Sequence, residues 1–185
     1  MPRTSDKRER LIKASRELIH RQGFERTTLA DISRVSGVPL GNVYYYFHSK
    51  EEILKAVTEE LCDDFRARTA RFEREPDHKS RLLAFLDSVI EGREVFMARG
   101  CPVGSLSQEL GRVEGPLRDR VNQALILRAQ WVSQQFRGMG RSDAQELGVW
   151  LIGAVQGVIL MAHALKDAGV IQRQVSQLKA WIDAF

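Results

Sequence analysis

The chain has 185 residues, of which 43% are hydrophobic, enough to build a substantial core in one large domain or in a small domain joined to a larger one. Five prolines and no low-complexity tract exclude a long disordered segment, and two cysteines exclude a disulfide framework. The amino terminus has no apolar stretch of the kind found in a signal peptide, so we expect a cytoplasmic protein.

Positive charge is concentrated at the amino-terminal end. Residues 1–50 contain ten Lys and Arg and five Asp and Glu, a net +5, whereas residues 51–185 contain 18 and 19, a net −1. A basic segment beside a nearly neutral remainder indicates contact with a polyanion. A solvated helix face with a chance surplus of charge would give the same count.

The first three predicted helices are close together in the sequence. Apolar residues recur at helical spacing over residues 6–22. A second helix starts at Thr28, in a capping box, and stops at Gly37. A third helix covers residues 40–47, so residues 1–48 are predicted to form a three-helix domain with a helix-turn-helix arrangement.

The rest of the chain is also predicted to be helical. A fourth helix over residues 49–73 bridges the first domain to a second one, residues 49–185, and no Gly/Ser linker separates them, so we expect a stiff junction. Strand-like alternation is absent, and the sequence predicts an all-α fold of about nine helices. The remaining five cover residues 77–98, 103–110, 116–137, 142–168 and 172–184.

One apolar segment has almost the length of a membrane span. Residues 147–165 contain no charge, and Gly153 and Gly157 have the G-x-x-x-G spacing. The segment also contains Gln156 and His163, and no basic cluster closes either end. For these reasons we favour a buried or dimer-interface helix of a soluble protein over a membrane span. A helix that is apolar on all sides is also typical of a protein core or of a dimer interface.

Helix three raises the question of where three adjacent tyrosines point. On a helical wheel, Val43 and Phe47 form the natural inward pair. Tyr45 lies about 160–200° away from them, on the opposite face. Tyr44 and Tyr46 lie on the two shoulders. The alternative is that all three rings are half-buried packing residues of a small bundle.

The outward face of this helix suits a DNA groove. Asn42 can pair with a base edge, above all adenine, and Gly41 allows the backbone to come close. The hydroxyls of the shoulder tyrosines, Tyr44 and Tyr46, can donate to phosphates on either side. Thr28, at a helix start, offers a hydroxyl and free N–H groups to a phosphate, and Lys50 adds a point charge.

Residues 8–57 resemble the DNA-binding region of TetR-type transcriptional repressors. The resemblance rests on G-F at 23–24, T-T at 27–28, the segment ADISRVSGVPLGNVYYYF and the closing S-K-E-E. It implies a homodimer that binds a palindromic double-stranded DNA operator, and an effector-binding and dimerisation domain at 49–185. Many members have His in place of Tyr46. The implied DNA contacts are Thr28, Leu40, Gly41, Asn42, Tyr44, Tyr45, Tyr46 and Lys50.

The resemblance also implies an interface between two copies of the chain. Family members of this length usually dimerise through their last two helices, which places the homodimer contact at about residues 142–184. Glycines in the first of these helices would let backbones approach closely. The interface would also explain the uncharged run.

Cys101 lies in an unusual segment, RGCPVGSLSQELG, at the start of a short helix. A thiol near a helix N-terminus and near Arg99 is expected to have thiolate character. The segment resembles the G-C-x-x-G-x-L-x-x-E stretch of a TetR-type subgroup, some members of which sense electrophiles or oxidants with this cysteine. Cys101 is therefore a candidate switch, or lies by the ligand pocket. A small buried residue at a helix entry is the alternative.

Five further residues are candidates for a pocket that binds an unidentified small-molecule effector: Trp131, Trp150, Gln156, Met161 and His163. Aromatic residues at helical spacing are also typical of an ordinary core. The histidines and cysteines show no metal-ligand spacing, and the sequence contains no recognisable catalytic set, so we predict no metal, no cofactor and no enzyme activity. The leading hypothesis is a repressor released by a small-molecule or thiol-reactive effector.

Overall fold

A computed structural model describes residues 4–111 and 115–185, and within them all regular secondary structure is α-helical, as predicted. We call α1–α3 the head and α5–α10 the body. The helices are α1 Thr4–Gln22, α2 Leu29–Ser36, α3 Leu40–Tyr46, α4 Lys50–Phe72, α5 His78–Glu91, α6 Arg93–Arg99, α7 Pro102–Leu110, α8 Pro116–Gly138, α9 Ala144–Leu165 and α10 Gly169–Asp183.

The head is a three-helix unit with the predicted helix-turn-helix. Thr28 caps α2 in a capping box with Asp31, and α2 ends at Gly37, whose φ of 65° is in the left-handed region that glycine adopts without strain. Arg10 of α1 donates from Nε and Nη2 to the Ser36 carbonyl, at 3.1 and 2.6 Å. The turn between α2 and α3 is therefore held to α1.

Helix α4 joins the head to the body without a break. Its first turns bury Ile53, Leu54 and Val57 in the core that they share with the head. Its last turns bury Phe65 and Phe72 in the core of the body. Because one helix contributes to both cores, a shift of α4 in the body is transmitted to the head.

The predicted helix at 77–98 is divided at Gly92 into α5 and α6. The ring of Phe96 folds back on this position, and a Cβ on Gly92 would lie 2.7 Å from Phe96 Cε2. A larger residue at this bend would require the Phe96 ring to move. The sequence did not indicate the division, because both halves have helical periodicity.

Helix α9 is long and apolar enough to cross a membrane by length and composition, but only 33% of its most apolar window is buried in the single chain. Its inner face, including Leu151, Val155 and Ile159, packs in the body core. Its outer face exposes Val149 and Leu160. The predicted burial of α9 therefore holds for one face and not for the other.

Candidate nucleic-acid interface and effector cavity

The three tyrosines of α3 have three different environments. Val43 and Phe47 are buried, which confirms the predicted inward pair. Tyr45 is 74% exposed and Tyr44 is 52% exposed. Tyr46 is half-buried against the head core, and its ring meets that of Tyr45 edge-on at 5.1 Å between centroids. The outward face of α3 is therefore centred on Tyr45.

The rest of this face is open and chemically available. Gly41 is exposed, and a Cβ built on it would have no neighbouring heavy atom within 4 Å. Leu40 is 40% exposed at the start of the helix. In the part of the chain that the structure describes, no group forms a hydrogen bond with the Asn42 carboxamide. A groove-reading amide needs this freedom.

Thr28 and Lys50, the two predicted phosphate contacts, already have partners. Thr28 Oγ1 accepts from the Asp31 amide at 3.1 Å and donates to Asp31 Oδ2 at 2.7 Å. The hydrogen bond from the Thr28 hydroxyl, followed by those from the Arg34 side chain and the Thr28 amide, lowers the pKa of Asp31. Lys50 Nζ donates to the carbonyls of residues 24 and 25, both at 3.1 Å, which leaves one ammonium hydrogen free.

Arg8 adds a cation that the sequence analysis counted only in the net charge. Its guanidinium carbon lies 5.5 Å from the centre of the Phe47 ring, at the end of α3. This contact places a cation of α1 beside the residue that ends α3. The signal in the sequence was too weak to find it, because the contact spans most of the head.

The body contains a cavity of about 630 Å³ between α1 and α4–α9. This volume is in the range of sites for small ligands. Part of its lining is apolar, with Phe65, Phe85, Val155 and Ile159 among the lining residues. The lining also includes Cys101 and several charged groups. The cavity is therefore amphipathic.

Cys101 lies in the cavity wall at the start of α7, as predicted from its place in the sequence. Its Sγ accepts from the Gly104 amide at 3.4 Å and caps the helix. Arg68 and Arg128 line the same cavity as this thiol, and neither was singled out from the sequence. A charged residue inside the apolar run of α8, ALILRAQWV, was the available signal for Arg128.

Of the other predicted pocket residues, the structure places only Gln156 in the cavity wall. Trp131 is buried behind the wall, edge-on to Phe65, with its Nε1 donating to Glu73 at 3.4 Å. Helical spacing alone could not show which of these side chains point into the cavity. The other three lie elsewhere: Trp150 is exposed against Trp181, Met161 is exposed, and the half-buried His163 donates from Nδ1 to the Met97 carbonyl at 2.9 Å.

Two contacts connect the cavity region to the head. The Glu109 carboxylate of α7 accepts from the amides of Phe24 and Glu25, at 2.9 and 2.8 Å. His20 Nε2 of α1 donates to the carbonyl of Gly100 at 3.0 Å, next to Cys101. Both contacts join residues at least 80 positions apart. No local sequence pattern indicates them.

The helix-turn-helix head and the cavity-containing helical body define the class of protein, a DNA-binding transcriptional regulator. Residues 11–57 match the family model described as bacterial regulatory proteins, tetR family. Residues 79–178, more than half of the chain, match the tetracyclin repressor-like C-terminal domain. The chain belongs to the TetR family, whose members are DNA-binding regulators, generally repressors, and not enzymes.

Similar curated relatives match either most of the chain or about half of it. The HTH-type transcriptional regulator LmrA of Bacillus subtilis is 29% identical over 168 residues, covering 88% of this chain and 89% of LmrA. TtgR of Pseudomonas putida is 33% identical over 93 residues, 46% of this chain and 44% of TtgR.

Two solved structures have the same fold. A TetR regulator from Chloroflexus aurantiacus has a TM-score of 0.87 at 23% identity, over 99% of this chain and 97% of its own. Escherichia coli NemR in its reduced form has a TM-score of 0.81 at 20% identity, over 94% and 96%. The predicted fold class is therefore confirmed.

Proposed function

We propose that this protein is a homodimeric repressor that binds a palindromic operator and leaves it when an effector occupies the body cavity. The observation that carries the proposal is the open face of α3, with Asn42 free and Tyr45 exposed, on a head that α4 joins rigidly to the cavity. The functional division is between residues 1–48, which bind DNA, and residues 49–185, which bind the effector and the second copy.

Each residue of the interface has a distinct role in this proposal. Asn42 reads a base edge in the major groove, and Gly41 lets the backbone approach. Tyr45, at the centre of the face, enters the groove with Asn42. The hydroxyls of Tyr44 and Tyr46, on the two shoulders, bind phosphates and fix the register of the head on the duplex. Thr28 contributes through the exposed start of α2. Lys50 contributes its remaining N–H and, through residues 24 and 25, positions the turn that precedes α2.

The dimer interface is best supported on the outer face of α9. Val149, Leu160 and Met161 are 50–61% exposed there, and Gly153 and Gly157 have open space above them. A contiguous exposed apolar surface of this kind is typical of a protein–protein contact. On α8, Ile126 lies beside the same surface, across a hollow of about 570 Å³.

This placement differs from the expected interface over residues 142–184. Helix α10 packs on α5 and α9, and its exposed residues are mainly polar: Gln172, Arg173, Gln174, Ser176 and Gln177. A polar face gains little from burial in an interface. We therefore propose that α9 and α8 form the contact, and that α10 lies outside it.

Release of the operator follows from how the heads are held. Two heads fit two half-sites about 34–36 Å apart only when their separation matches the turn of the DNA. An effector that moves α7 or α4 changes this separation through Glu109 and through the shared core. The coupling is a difference in effector affinity between the DNA-bound and free states.

Modification of Cys101 is a second route to release. The thiol caps α7, the same helix that carries Glu109, so a bulky adduct on Sγ would displace the start of that helix. This proposal concerns a soluble protein that acts in the cytoplasm, where thiols stay reduced until an oxidant or electrophile arrives.

Selection of bound fragments from a random pool of duplex DNA tests the proposed function. We expect one inverted repeat whose half-sites lie about 10 bp apart, or a multiple of that spacing, centre to centre. A screen of small molecules and thiol reagents for release then follows on the selected sequence. A pool that yields no enriched sequence, or a single unrepeated half-site, would contradict the proposal of a palindromic operator.

A further inference from the structure

The residues that line the cavity carry an excess of positive charge. Among the described residues that line it, the acidic side chains are limited to Asp64. That carboxylate already forms an ion pair with Arg16. The basic lining residues are Arg16, His20, Arg68, Arg71 and Arg128.

Arg128 is the most deeply placed of these cations. It is only 8% exposed, and its guanidinium carbon lies 4.7 Å from the centre of the Phe65 ring. Its donors reach two backbone carbonyls, those of Ala124 and Leu61. Throughout residues 4–111 and 115–185, no carboxylate lies within ion-pair distance of it. Burial is the main cause that lowers the pKa of Arg128.

A buried guanidinium without an anionic partner is energetically unfavourable. Carbonyl oxygens satisfy some of its five N–H donors but do not neutralise the charge. Arg68 lies on the neighbouring helix with its Nε 3.4 Å from the Asp64 carbonyl, and its charge raises the local excess. A cavity that keeps two cations beside an apolar wall is preorganised for a ligand that supplies the missing negative charge.

We propose that the effector is an organic carboxylate with an apolar body, whose carboxylate binds Arg128 with the help of Arg68. The planar guanidinium fork matches a carboxylate in a bidentate geometry. The apolar body packs on the apolar lining residues, which include Phe85, Val155 and Ile159. The inference rests on the proposed function, because it names the chemistry of the ligand that fills the same cavity.

The same charge distribution predicts which molecules the cavity rejects. A neutral analogue of the same shape keeps the apolar contacts but leaves both guanidiniums uncompensated. A cationic amphiphile adds repulsion from Arg68 and Arg128. The carboxylate is therefore the specificity-determining group, and the apolar body sets the overall affinity.

Calorimetric titration with matched pairs of probes tests this inference. The pairs are 4-phenylbutyrate with 4-phenylbutanamide, and decanoate with decanamide, all added to the full-length protein at neutral pH. We expect each carboxylate to bind at least about tenfold more tightly than its amide, as charge-assisted hydrogen bonds require. Amides that bind as well as the carboxylates, or no binding by either carboxylate, would overturn the proposal.

The variant Arg128→Met removes the charge and keeps an apolar side chain of similar length. We expect it to bind the carboxylate and the amide with equal affinity, and binding of the amide shows that the cavity is intact. Arg120→Met is the matched control on the same helix, since Arg120 is exposed and pairs with Glu59 at 3.1 Å. Arg68→Met gives a second, partial loss of preference. Full preference in both Arg128→Met and Arg68→Met would overturn the assignment.

Binding and regulation are measured separately. If the carboxylates bind with the expected preference but leave the complex with the selected operator intact, the ligand class is supported and the release mechanism fails. If no operator is found while the preference is present, the proposed function fails and the ligand class stands. Loss of the preference with operator binding intact removes only the carboxylate assignment.

Discussion

Tyr45 and Asn42 show that the position of a residue along a helix decides whether its side chain is exposed or buried. Both are on α3, within five residues of the buried pair Val43 and Phe47, yet Tyr45 is 74% exposed. A large aromatic ring in water has no stabilising role in the single chain, since it contacts little besides Tyr46. Its place at the centre of an open face is consistent with the proposed contact with DNA.

Replacement of Tyr45 or Asn42 by Ala tests the groove assignment. We expect operator affinity to fall about ten- to hundredfold for each, with a smaller change in binding to bulk DNA, because base contacts carry the specificity. Thermal unfolding should be nearly unchanged, since neither side chain is in the core. Gel-shift titrations measure both affinities, and Lys55→Ala, an exposed cation on α4, is the control.

Lys50→Ala has a different expected signature. We expect it to weaken operator and bulk DNA alike and to lower the salt slope by about one. It should also destabilise the head, because Lys50 holds two carbonyls and lies 4.3 Å from the Phe24 ring. If this variant and both α3 variants bound the operator like the parent, the interface would lie elsewhere.

The reactivity of Cys101 distinguishes a thiol switch from a packing residue. We expect iodoacetamide to label Cys101 in the native protein before it labels Cys62, because Cys101 faces a cavity lined with cations. Mass spectrometry of the labelled peptides measures both rates, and Cys101→Ser should make operator binding insensitive to the reagent. Labelling of Cys101 only after unfolding would show that the thiol is an inert packing residue.

At the scale of elements, α7 is the helix that connects cavity and head. Its first residue follows Cys101, and its penultimate residue, Glu109, holds the turn after α1. Val103, Leu106 and Leu110 of α7 also belong to the core of the head. The body helix α7 is therefore packed as part of the head. Because it is one short helix, a displacement of either end would also move the other end.

Glu109→Ala removes the acceptor of two backbone amides at once. We expect a loss of about 1–3 kcal/mol in the free energy of unfolding, because Phe24 and Glu25 keep N–H groups without a protein partner. Urea unfolding measures the loss, and hydrogen exchange at residues 24 and 25 should accelerate. Gln108→Ala, an exposed neighbour, should leave both unchanged. Equal stability of the two variants would show that the hydrogen bonds from Phe24 and Glu25 to Glu109 do not stabilise the fold.

His20 makes the contact between α1 and the α6–α7 turn sensitive to pH. Burial is the main cause that lowers its pKa, and Arg99 and Arg16 act in the same direction against the hydrogen bond to Gly100. The folded state therefore disfavours protonation more than the unfolded state does. Stability from this site is complete above the ordinary pKa of about 6.5 and is lost as pH falls through the lower folded value.

The variant His20→Gln keeps a donor to the Gly100 carbonyl but does not titrate. Between pH 7.5 and pH 5, about the range of histidine protonation, we expect the unfolding temperature of the parent to fall further than that of the variant. Other groups titrate equally in both proteins, so the difference isolates His20. Parallel pH profiles would show that this histidine does not control the contact.

At the scale of the whole molecule, α9 has two faces with different surroundings, one toward the cavity and one exposed on the outside of the chain. Its inner face lines the cavity with Ile152, Val155 and Ile159, and its outer face exposes Val149 and Leu160. One helix thus lines the proposed effector cavity and the proposed contact between copies. An effector that repacked the inner face would reach the proposed dimer interface through a single element.

Leu160→Glu places a charge on the outer face of α9, where the leucine is 54% exposed in the single chain. We expect the variant to sediment as a monomer at concentrations at which the parent is a dimer, because an unpaired charge is costly in an apolar interface. Gln174→Glu, on the polar face of α10, should remain dimeric. The reverse result would place the interface on α10.

The sequence by itself was sufficient for the head. The capping box at Thr28, the end of α2 at Gly37 and the inward pair Val43 and Phe47 were all predicted from residues within a few positions of one another. Local hydrogen bonds and helical periodicity fix such features, and both can be read along the chain. The family motifs cover the same local region.

Only the tertiary structure decided which side of each long helix faces the cavity, the second copy or the solvent. An apolar helix such as α9 has no periodicity that marks its faces, so Trp150 and Met161 were assigned to a pocket although both lie outside it. The burial of Arg128 and the reach of Glu109 to residue 24 depend on helices distant in sequence. Such contacts are set by the packing of the whole chain, which no short segment determines.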